Sequence, residues 1–199
     1  MDTQAQWNER YLKNGTPWET ERHDRNLERL IEAHSIKPCA ALEIGCGTGN
    51  NAIWLAARGF QVKAVDVSAA AVDKARRKAQ ERKARVDFSV VNVLSDKLPG
   101  GQFGLVFDRG CLHCFEATND RRIWVEAVYG SLADRGLWVS LIGSSDGPKS
   151  EVGPPRWSAS EITAAVESRF EIIELAATHF DSDQADPPQA WSCLMRRRL

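Results

Sequence analysis

The chain has no run of about 18 apolar residues, the length that a helix needs to cross a bilayer, so none is expected to do so. The amino end, Met1-Asp2-Thr3-Gln4, is polar and lacks the apolar core of a signal peptide. The five cysteines are too few and odd in number for a closed disulfide framework, and without a secretion signal they are expected as reduced thiols in the cytoplasm. Neither charge sign is in excess: 26 Lys and Arg stand against 27 Asp and Glu, a net charge of −1. No global field therefore draws the protein to nucleic acid or an anionic membrane. Arg196-Arg197-Arg198 is a local exception that reads as a solvated chain end. Internal repeats and low-complexity stretches are also missing. What is present, 43% hydrophobic and 27% charged residues over 199 positions, suits one domain with its own core.

Apolar runs alternate with helical patterns. Strands are predicted at Ala40 to Ile44, Gln61 to Asp66, Val86 to Val91, Phe103 to Phe107 and Gly136 to Ile142. Helices are predicted at Asn51 to Arg58, Ala69 to Ala84 with Ser68 as cap, Asp120 to Leu132 and Ser158 to Glu167. Gly143 to Arg156 reads as a loop, and Phe170 to Ala177 with Trp191 to Met195 as a closing antiparallel hairpin. This order predicts an α/β fold: a doubly wound, mainly parallel seven-stranded sheet, Rossmann-like, with that hairpin at its end. Ligands of such sheets lie beyond the carboxyl ends of the strands, where the strand order reverses.

The sharpest motif sits at such an end. Glu43-Ile44-Gly45-Cys46-Gly47-Thr48-Gly49 follows the first strand and opens a helix. Glycine permits the tight turn and lets a ligand approach the backbone, and the first N–H groups of the helix suit a carboxylate or phosphate. Asp66 ends the next strand, 21 residues after Gly45, where a carboxylate grips ribose hydroxyls in dinucleotide folds. Val67 follows it at the same edge. The third glycine comes one residue too early for the dinucleotide spacing G-x-G-x-x-G, and Asn50 stands where that pattern wants glycine. Glu43 would face the positive amino-acid end of a ligand. A ligand-free glycine-rich turn is the plain alternative.

The pattern E-x-G-x-G-x-G with an acid closing strand two resembles the signature of class I S-adenosylmethionine methyltransferases. Trp7-Asn8-Glu9-Arg10-Tyr11, Gly15-Thr16-Pro17-Trp18-Glu19, Phe107-Asp108-Arg109-Gly110 and Gly153-Pro154-Pro155 narrow the resemblance to the thiopurine, thiol and halide methyltransferases and their tellurite-resistance relatives. The resemblance implies a lead segment, residues 1–36 of a single domain, folded over S-adenosylmethionine. It implies cofactor contacts from Trp7, Tyr11 and Trp18, whose aromatic faces suit a sulfonium and an adenine ring. Packing of an amphipathic N-terminal helix is the alternative, and it suits Trp7 better than Trp18, which follows Pro17 in a turn-like segment. Many class I enzymes set an Asp against the adenine amino group after strand three. Here Asn92 stands there, with Val93 beside it and Asp96 as a second acid, and a capping turn would account for both polar residues.

Asp108 and Arg109 fall beside the expected methyl position. Asp108 would orient the cofactor or lead segment, and Arg109 would hold an electron-rich acceptor and favour a thiolate. Alternatively the two form a network that pins their own loop. His113 is a candidate base or a packed histidine. Cys111-Leu112-His113-Cys114 has the spacing of a redox or half-zinc motif but lacks a second pair, so no metal is expected. Asp186-Pro187-Pro188-Gln189 lacks the aromatic of base-methylating enzymes. The expectation is a monomer or weak homodimer that methylates a small molecule, a thiol or other soft nucleophile, with nucleic acid and membrane not among its partners. Oxygen or nitrogen acceptors, a nucleotide-dependent oxidoreductase and a non-catalytic binder are the competing readings.

Overall fold

A computed structural model describes residues 3–146 and 156–199. Gly153-Pro154-Pro155 lies outside the described residues. Seven strands form one sheet: β1 Ala40–Ile44, β2 Gln61–Asp66, β3 Val86–Val90, β4 Phe103–Arg109, β5 Leu132–Gly143, β6 Phe170–His179 and β7 Gln189–Arg197. Their order is β3-β2-β1-β4-β5-β7-β6. The first five are parallel, and β7 runs antiparallel between β5 and β6. The order reverses between β1 and β4, so the glycine loop and Asp108-Arg109-Gly110 leave the sheet side by side. The mainly parallel, doubly wound sheet and its terminal hairpin are as the alternation of patterns predicts.

Among the described residues there are six α-helices: α1 Gln4–Leu12, α2 Arg25–Ala33, α3 Asn50–Ala57, α4 Ala69–Glu81, α5 Thr118–Ser131 and α6 Ala159–Val166. Leu27 and Leu30 of α2, Ile53 and Leu55 of α3 and Ala75 of α4 pack with Leu105 and Phe107 on one face. Trp124 and Val125 of α5 and Ile162 of α6 pack with Val106, Trp138 and Phe170 on the other. Alternate residues of β4 thus enter opposite cores, as a central strand buried on both faces requires. Each fully buried Leu contributes about 1.5–3 kcal/mol.

Several boundaries shift by one to four residues, as where β6 runs on to His179 and β7 spans Gln189–Arg197, and two of the shifts have clear backbone causes. The α4 helix stops at Glu81 rather than Ala84, because Lys83 adopts a left-handed φ of 53° and the Ala84 N–H turns back to Ala79 O. Strand β5 starts at Leu132 rather than Gly136. Leu132 already pairs with Phe103, and an irregularity at Arg135, with φ 58°, and Gly136 shifts the register before Leu137 meets Leu105.

The lead segment is tied down rather than draped. Thr3 caps α1 in a reciprocal box with Gln6, and Asn8 Oδ1 accepts from Ala70 N–H and Ser68 Oγ at the start of α4. Asp24 caps α2 through Asn26 N–H and turns its other oxygen to Arg109 Nε at 2.7 Å. The Asp24 side chain is 1% exposed and that of Arg109 14%. Removing one partner of such a buried pair strands the other charge. Asp24→Ala is expected to cost about 3 kcal/mol or more in urea denaturation, through the stranded guanidinium and the lost cap. Asp24→Ala with Arg109→Met should recover part of that loss. A double variant no more stable than the single one would show that the pair is not the cause.

Candidate functional site

The glycine loop is built by three left-handed glycines, Gly45 with φ 72°, Gly47 with φ 53° and Gly49 with φ 82°. They differ in what a side chain would meet. At Gly45 it would overlap Cys111 Sγ, and at Gly49 it would press on Ala75 and Phe88 at 3.0 Å, both internal contacts. At Gly47 it would overlap the Glu19 carboxylate and lie 2.9 Å from Tyr11 Oη. Only the middle glycine therefore faces the lead segment.

Asp66 closes β2 and turns back under the loop. Its carboxylate accepts from Gly47 N–H at 2.8 Å and from Ser68 N–H at 2.9 Å. Burial dominates over these bonds and pushes its pKa up to about 6. Glu43, 1% exposed at the end of β1, accepts from Asn51 Nδ2 at 3.1 Å through one oxygen, and its other oxygen is buried with no partner. Burial pushes this carboxyl up to about 8. Asn51 passes the contact on: its Oδ1 accepts from Asp24 N–H at 2.8 Å, and Asp24 holds Arg109. A polar chain thus runs from the motif acid through α3 and the lead segment to the end of β4. Asp24 and Asn51 carry no role in the sequence reading. An Asp just ahead of the apolar spacing Leu27, Leu30, Ile31 is a cap signal, but only the fold brings it to Arg109.

The lead segment meets the loop through a tight cluster. Trp18 Nε1 donates to Tyr11 Oη, Tyr11 Oη donates to Glu19, and Glu19 accepts from the Thr48 hydroxyl. Trp7 and Trp18 stand edge to face with centroids 5.6 Å apart. The cation over their faces is a resident one, since the Arg10 guanidinium lies 5.3 and 5.7 Å from the two rings. Lys74 Nζ holds Tyr11 O and the Asn14 side chain, fixing α1 against α4. Glu19 appears in the lead motif, but spacing alone assigned it nothing.

Three other positions differ from expectation. Asn92 accepts from Leu94 N–H at 3.1 Å, and Asp96 accepts from Asn92 N–H at 2.8 Å. That is the capping-turn alternative, which uses the very oxygen offered to adenine. Val67 and Val93 are half-buried at the same edge as Asp66 and Asn92. His113 is 3% exposed, and its Nδ1 accepts from Gly143 N–H at 2.6 Å. Burial and the Arg109 charge lower its pKa to about 3, which disfavours a role as proton acceptor and favours the packed-histidine reading. Asp108, fully buried, touches neither Arg109 nor the lead segment through a hydrogen bond. It accepts from Trp138 Nε1 at 2.9 Å and from Cys111 and Leu112 N–H, so it orients the turn after β4.

Arg109 does not pair with Asp108 either, because successive strand residues point to opposite faces. Besides Asp24 it donates to Trp18 O at 3.2 Å and to Asp181 O at 2.7 Å. Three of its five N–H groups are thus spent on clamping the lead segment to the β6–β7 loop. Cys111 Sγ packs against Ile44 O beneath Gly45, and Cys114 Sγ lies 3.2 Å from Gly110 O. Among the described residues no group of three or more His, Cys, Asp or Glu could hold a metal ion. No described helix is long and apolar enough to cross a membrane.

Residues 2–191 match the family description "Thiopurine S-methyltransferase". A probable thiol methyltransferase 2 of Arabidopsis thaliana is 27% identical over 153 residues, covering 75% of this chain and 65% of the relative. A thiocyanate methyltransferase 1 of Brassica oleracea has the same identity and coverage. The chain therefore spans just under two thirds of the length of these relatives. Among solved structures, a 1,6-didemethyltoxoflavin-N1-methyltransferase of Burkholderia thailandensis with bound substrate and S-adenosylhomocysteine superposes with a TM-score of 0.79 at 19% identity, covering 98% of this chain and 87% of that one. At that identity the likeness concerns the fold. With its match along nearly the whole length, the chain belongs to the thiopurine S-methyltransferase family.

Proposed function

We propose that the protein uses S-adenosylmethionine to methylate a small molecule, a thiol or other soft nucleophile. The observation that carries the cofactor assignment is the unpartnered, buried oxygen of Glu43 on the strand that leads into the glycine loop. A buried acceptor without a donor is costly, and an ammonium group is the complement it lacks. Asp66, at the end of β2, would take the ribose hydroxyls, and Tyr11, Trp7 and Trp18 would close the site from the lead side. Gly45, Gly47 and Gly49 shape the turn that admits the ligand, with Val67, Val93 and the backbone after Asn92 along the adenine edge. When bound, the cofactor supplies an electrophilic methyl on a sulfonium.

The protein's own task is then placement and exclusion of water. A thiol loses its proton near pH 8.5, so a soft acceptor needs little base catalysis. A neutral His113 fits that economy. The clamp by Arg109 fits it too, since the residue's remaining N–H groups suffice to orient an acceptor while its charge is balanced by Asp24. The names of the plant relatives, a thiol and a thiocyanate methyltransferase, support a sulfur acceptor over oxygen or nitrogen.

Saturating S-adenosylhomocysteine should raise the melting temperature of the wild type, with affinity at least tenfold weaker for Asp66→Ala by calorimetry. An unshifted melt would overturn the cofactor reading, and an unchanged Asp66→Ala affinity the ribose assignment. Incubation with S-adenosylmethionine and a panel of thiols, amines, carboxylates and halides should give methylated product from the thiols, read by mass spectrometry. Product from amines or carboxylates alone would sink the soft-nucleophile assignment.

The ligand-free protein should also lose stability between pH 6.5 and 8. A carboxyl whose folded pKa is raised stabilises while protonated, and that stability is lost as pH rises through the folded pKa. Asp66 and Asp108, each at about 6, have mostly titrated by pH 6.5. His113, with its lowered pKa of about 3, adds stability that is fully present above 6.5 and is lost only on acidification. Glu43, at about 8, remains and sets the slope. The loss should be about 2 kcal/mol across that window. Denaturation of Glu43→Gln at the same pH values should be flat, and a wild-type slope there would reassign the effect.

A further inference from the structure

Strand β4 ends opposite Leu141 of β5: Arg109 is its last paired residue, and the Gly110 N–H closes on Leu141 O at 2.8 Å. The Gly143 N–H, two residues further along β5, lies past the end of β4, and the His113 ring takes the strand's place. Its Nδ1 accepts from Gly143 N–H at 2.6 Å. A ring nitrogen that accepts carries no proton, so this bond fixes the tautomer of the neutral imidazole, with its hydrogen on Nε2. The lone pair of the ring is thus used and its N–H is not. Among the described residues Nε2 has no hydrogen-bond partner.

Nε2 borders the space in front of Gly110, a residue with φ 73° and no side chain. The point where a Cβ would stand lies 3.4 Å from Nε2, 3.5 Å from Cε1 and 4.0 Å from Phe180 Cε1. Gly110 therefore leaves room for a ligand atom at contact distance from the imidazole N–H. Phe180 stands edge to face with His113, centroids 5.9 Å apart, and the Arg109 guanidinium lies 5.1 Å from the centre of the same phenyl ring. The three side chains line one space beyond β4.

That space offers donors. Arg109 spends three of its five N–H groups on Asp24, Trp18 O and Asp181 O, which leaves two. His113 adds Nε2–H. The acids close by are engaged: Asp24 with Arg109, Asp108 with Trp138 and the turn after β4, and Asp181 with Arg22 and Arg25. Arg109 is the charge whose field reaches the imidazole, while β5 brings the Gly143 backbone against it and the β6–β7 loop brings Phe180. Fixed donors beside engaged acids suit an atom with lone pairs and no proton to give.

We propose that His113 is a hydrogen-bond donor of the acceptor site, whose Nε2–H, beside the remaining N–H groups of Arg109, binds the nucleophilic sulfur and admits it as a thiolate. The inference rests on the soft-nucleophile reading above and gives the packed histidine a task other than that of a base. The thiol proton passes to solvent before binding. In the step itself one sulfur lone pair forms the bond to the methyl carbon, the bond from that carbon to the sulfonium breaks, and its electron pair stays on the cofactor sulfur. The thiolate and sulfonium charges cancel, and no proton moves. The hydrogen bond from His113 holds a second lone pair of the acceptor sulfur, which stabilises the reactive form and sets its line of approach.

Two variants separate a donor from a packing residue. His113→Asn sets a carbonyl oxygen near the place of Nδ1, keeps the Gly143 contact and lacks the Nε2 donor. His113→Gln reaches the place of Nε2 with an amide N–H and gives up the Gly143 contact. Steady-state kinetics with S-adenosylmethionine should be run on two thiols of different acidity, an arylthiol and an alkylthiol. His113→Asn should lower kcat/KM about tenfold or more, the worth of one hydrogen bond to a charged partner, and His113→Gln should retain the greater share. Affinity for S-adenosylhomocysteine, read by calorimetry, should stay near that of the wild type in both. If His113→Asn is at least as active as His113→Gln, the histidine only holds Gly143 and the proposal is overturned. A fall in S-adenosylhomocysteine affinity as large as the fall in kcat/KM overturns it likewise. The wild type supplies a second arm that needs no variant to fold. Its kcat/KM should rise with pH through the acceptor's own pKa, so that the midpoint differs between the two thiols. A midpoint common to both would belong to a base on the protein and would overturn the proposal, with the thiol assignment left standing. If neither thiol is methylated at any pH, the soft-nucleophile reading itself fails, and this inference with it.

Discussion

The buried ion pair between Asp24 and Arg109 is the constraint from which the site takes its shape. One partner belongs to the lead segment and the other ends the central strand β4, 85 residues later. Around this pair gather Trp18 O, Asp181 O, Asn51 and the cap of α2. A buried pair seldom adds much net stability over well-packed apolar groups, yet it is intolerant of losing one member. It therefore works as a specifier of position. The lead segment has one place to sit, and that place puts Trp18 and Glu19 against the glycine loop and the β6–β7 loop over the end of β4.

That arrangement divides the charges. Cations near the site are used for fastening: Arg109 by Asp24, Arg22 by Asp181 and Asp183, and Lys74 by the end of α1. Acids are left facing inward. Glu43, Asp66 and Asp108 are all held above the ordinary carboxylate range by burial; Asp108 is satisfied by an indole N–H and two backbone N–H groups, and Asp66 by the N–H groups of Gly47 and Ser68. Asp108 thus completes a self-contained structural unit, whereas Glu43 retains an unused acceptor. Two equally buried carboxylates thus differ in whether their hydrogen-bonding capacity is used, and the proposed cofactor contact rests on that contrast.

The sheet was legible in the sequence because its information is local. Alternating strand and helix periods, Ser68 and Ser158 as caps, and glycine stops place most boundaries within a few residues, and the strand order follows from short right-handed crossovers. The glycine loop and Asp66 were legible for the same reason, since a strand–turn–helix unit writes its ligand requirements within about 25 residues. Partner choice was not. Arg109 could be seen as a cation at a strand end, but its acid comes from Asp24, with no mark in the sequence that joins them. The sequence left His113 open between a base and a packed histidine, and only the fold shows its burial and the backbone N–H on Nδ1. Asn92 met its own turn first, because a side-chain amide finds a backbone N–H two residues on at little entropic cost.

The same division of charge bears on the acceptor. A site whose arginine fork is already neutralised by a buried aspartate offers only weak attraction to an anionic acceptor that stays charged. It offers more to a neutral or polarisable one that needs orientation and a dry approach. Such a balance fits the proposed soft acceptor, which is nucleophilic enough to need little transition-state help. An oxygen acceptor of ordinary basicity would call for a proton acceptor near the end of β4, and the histidine that stands there is held neutral with a pKa of about 3.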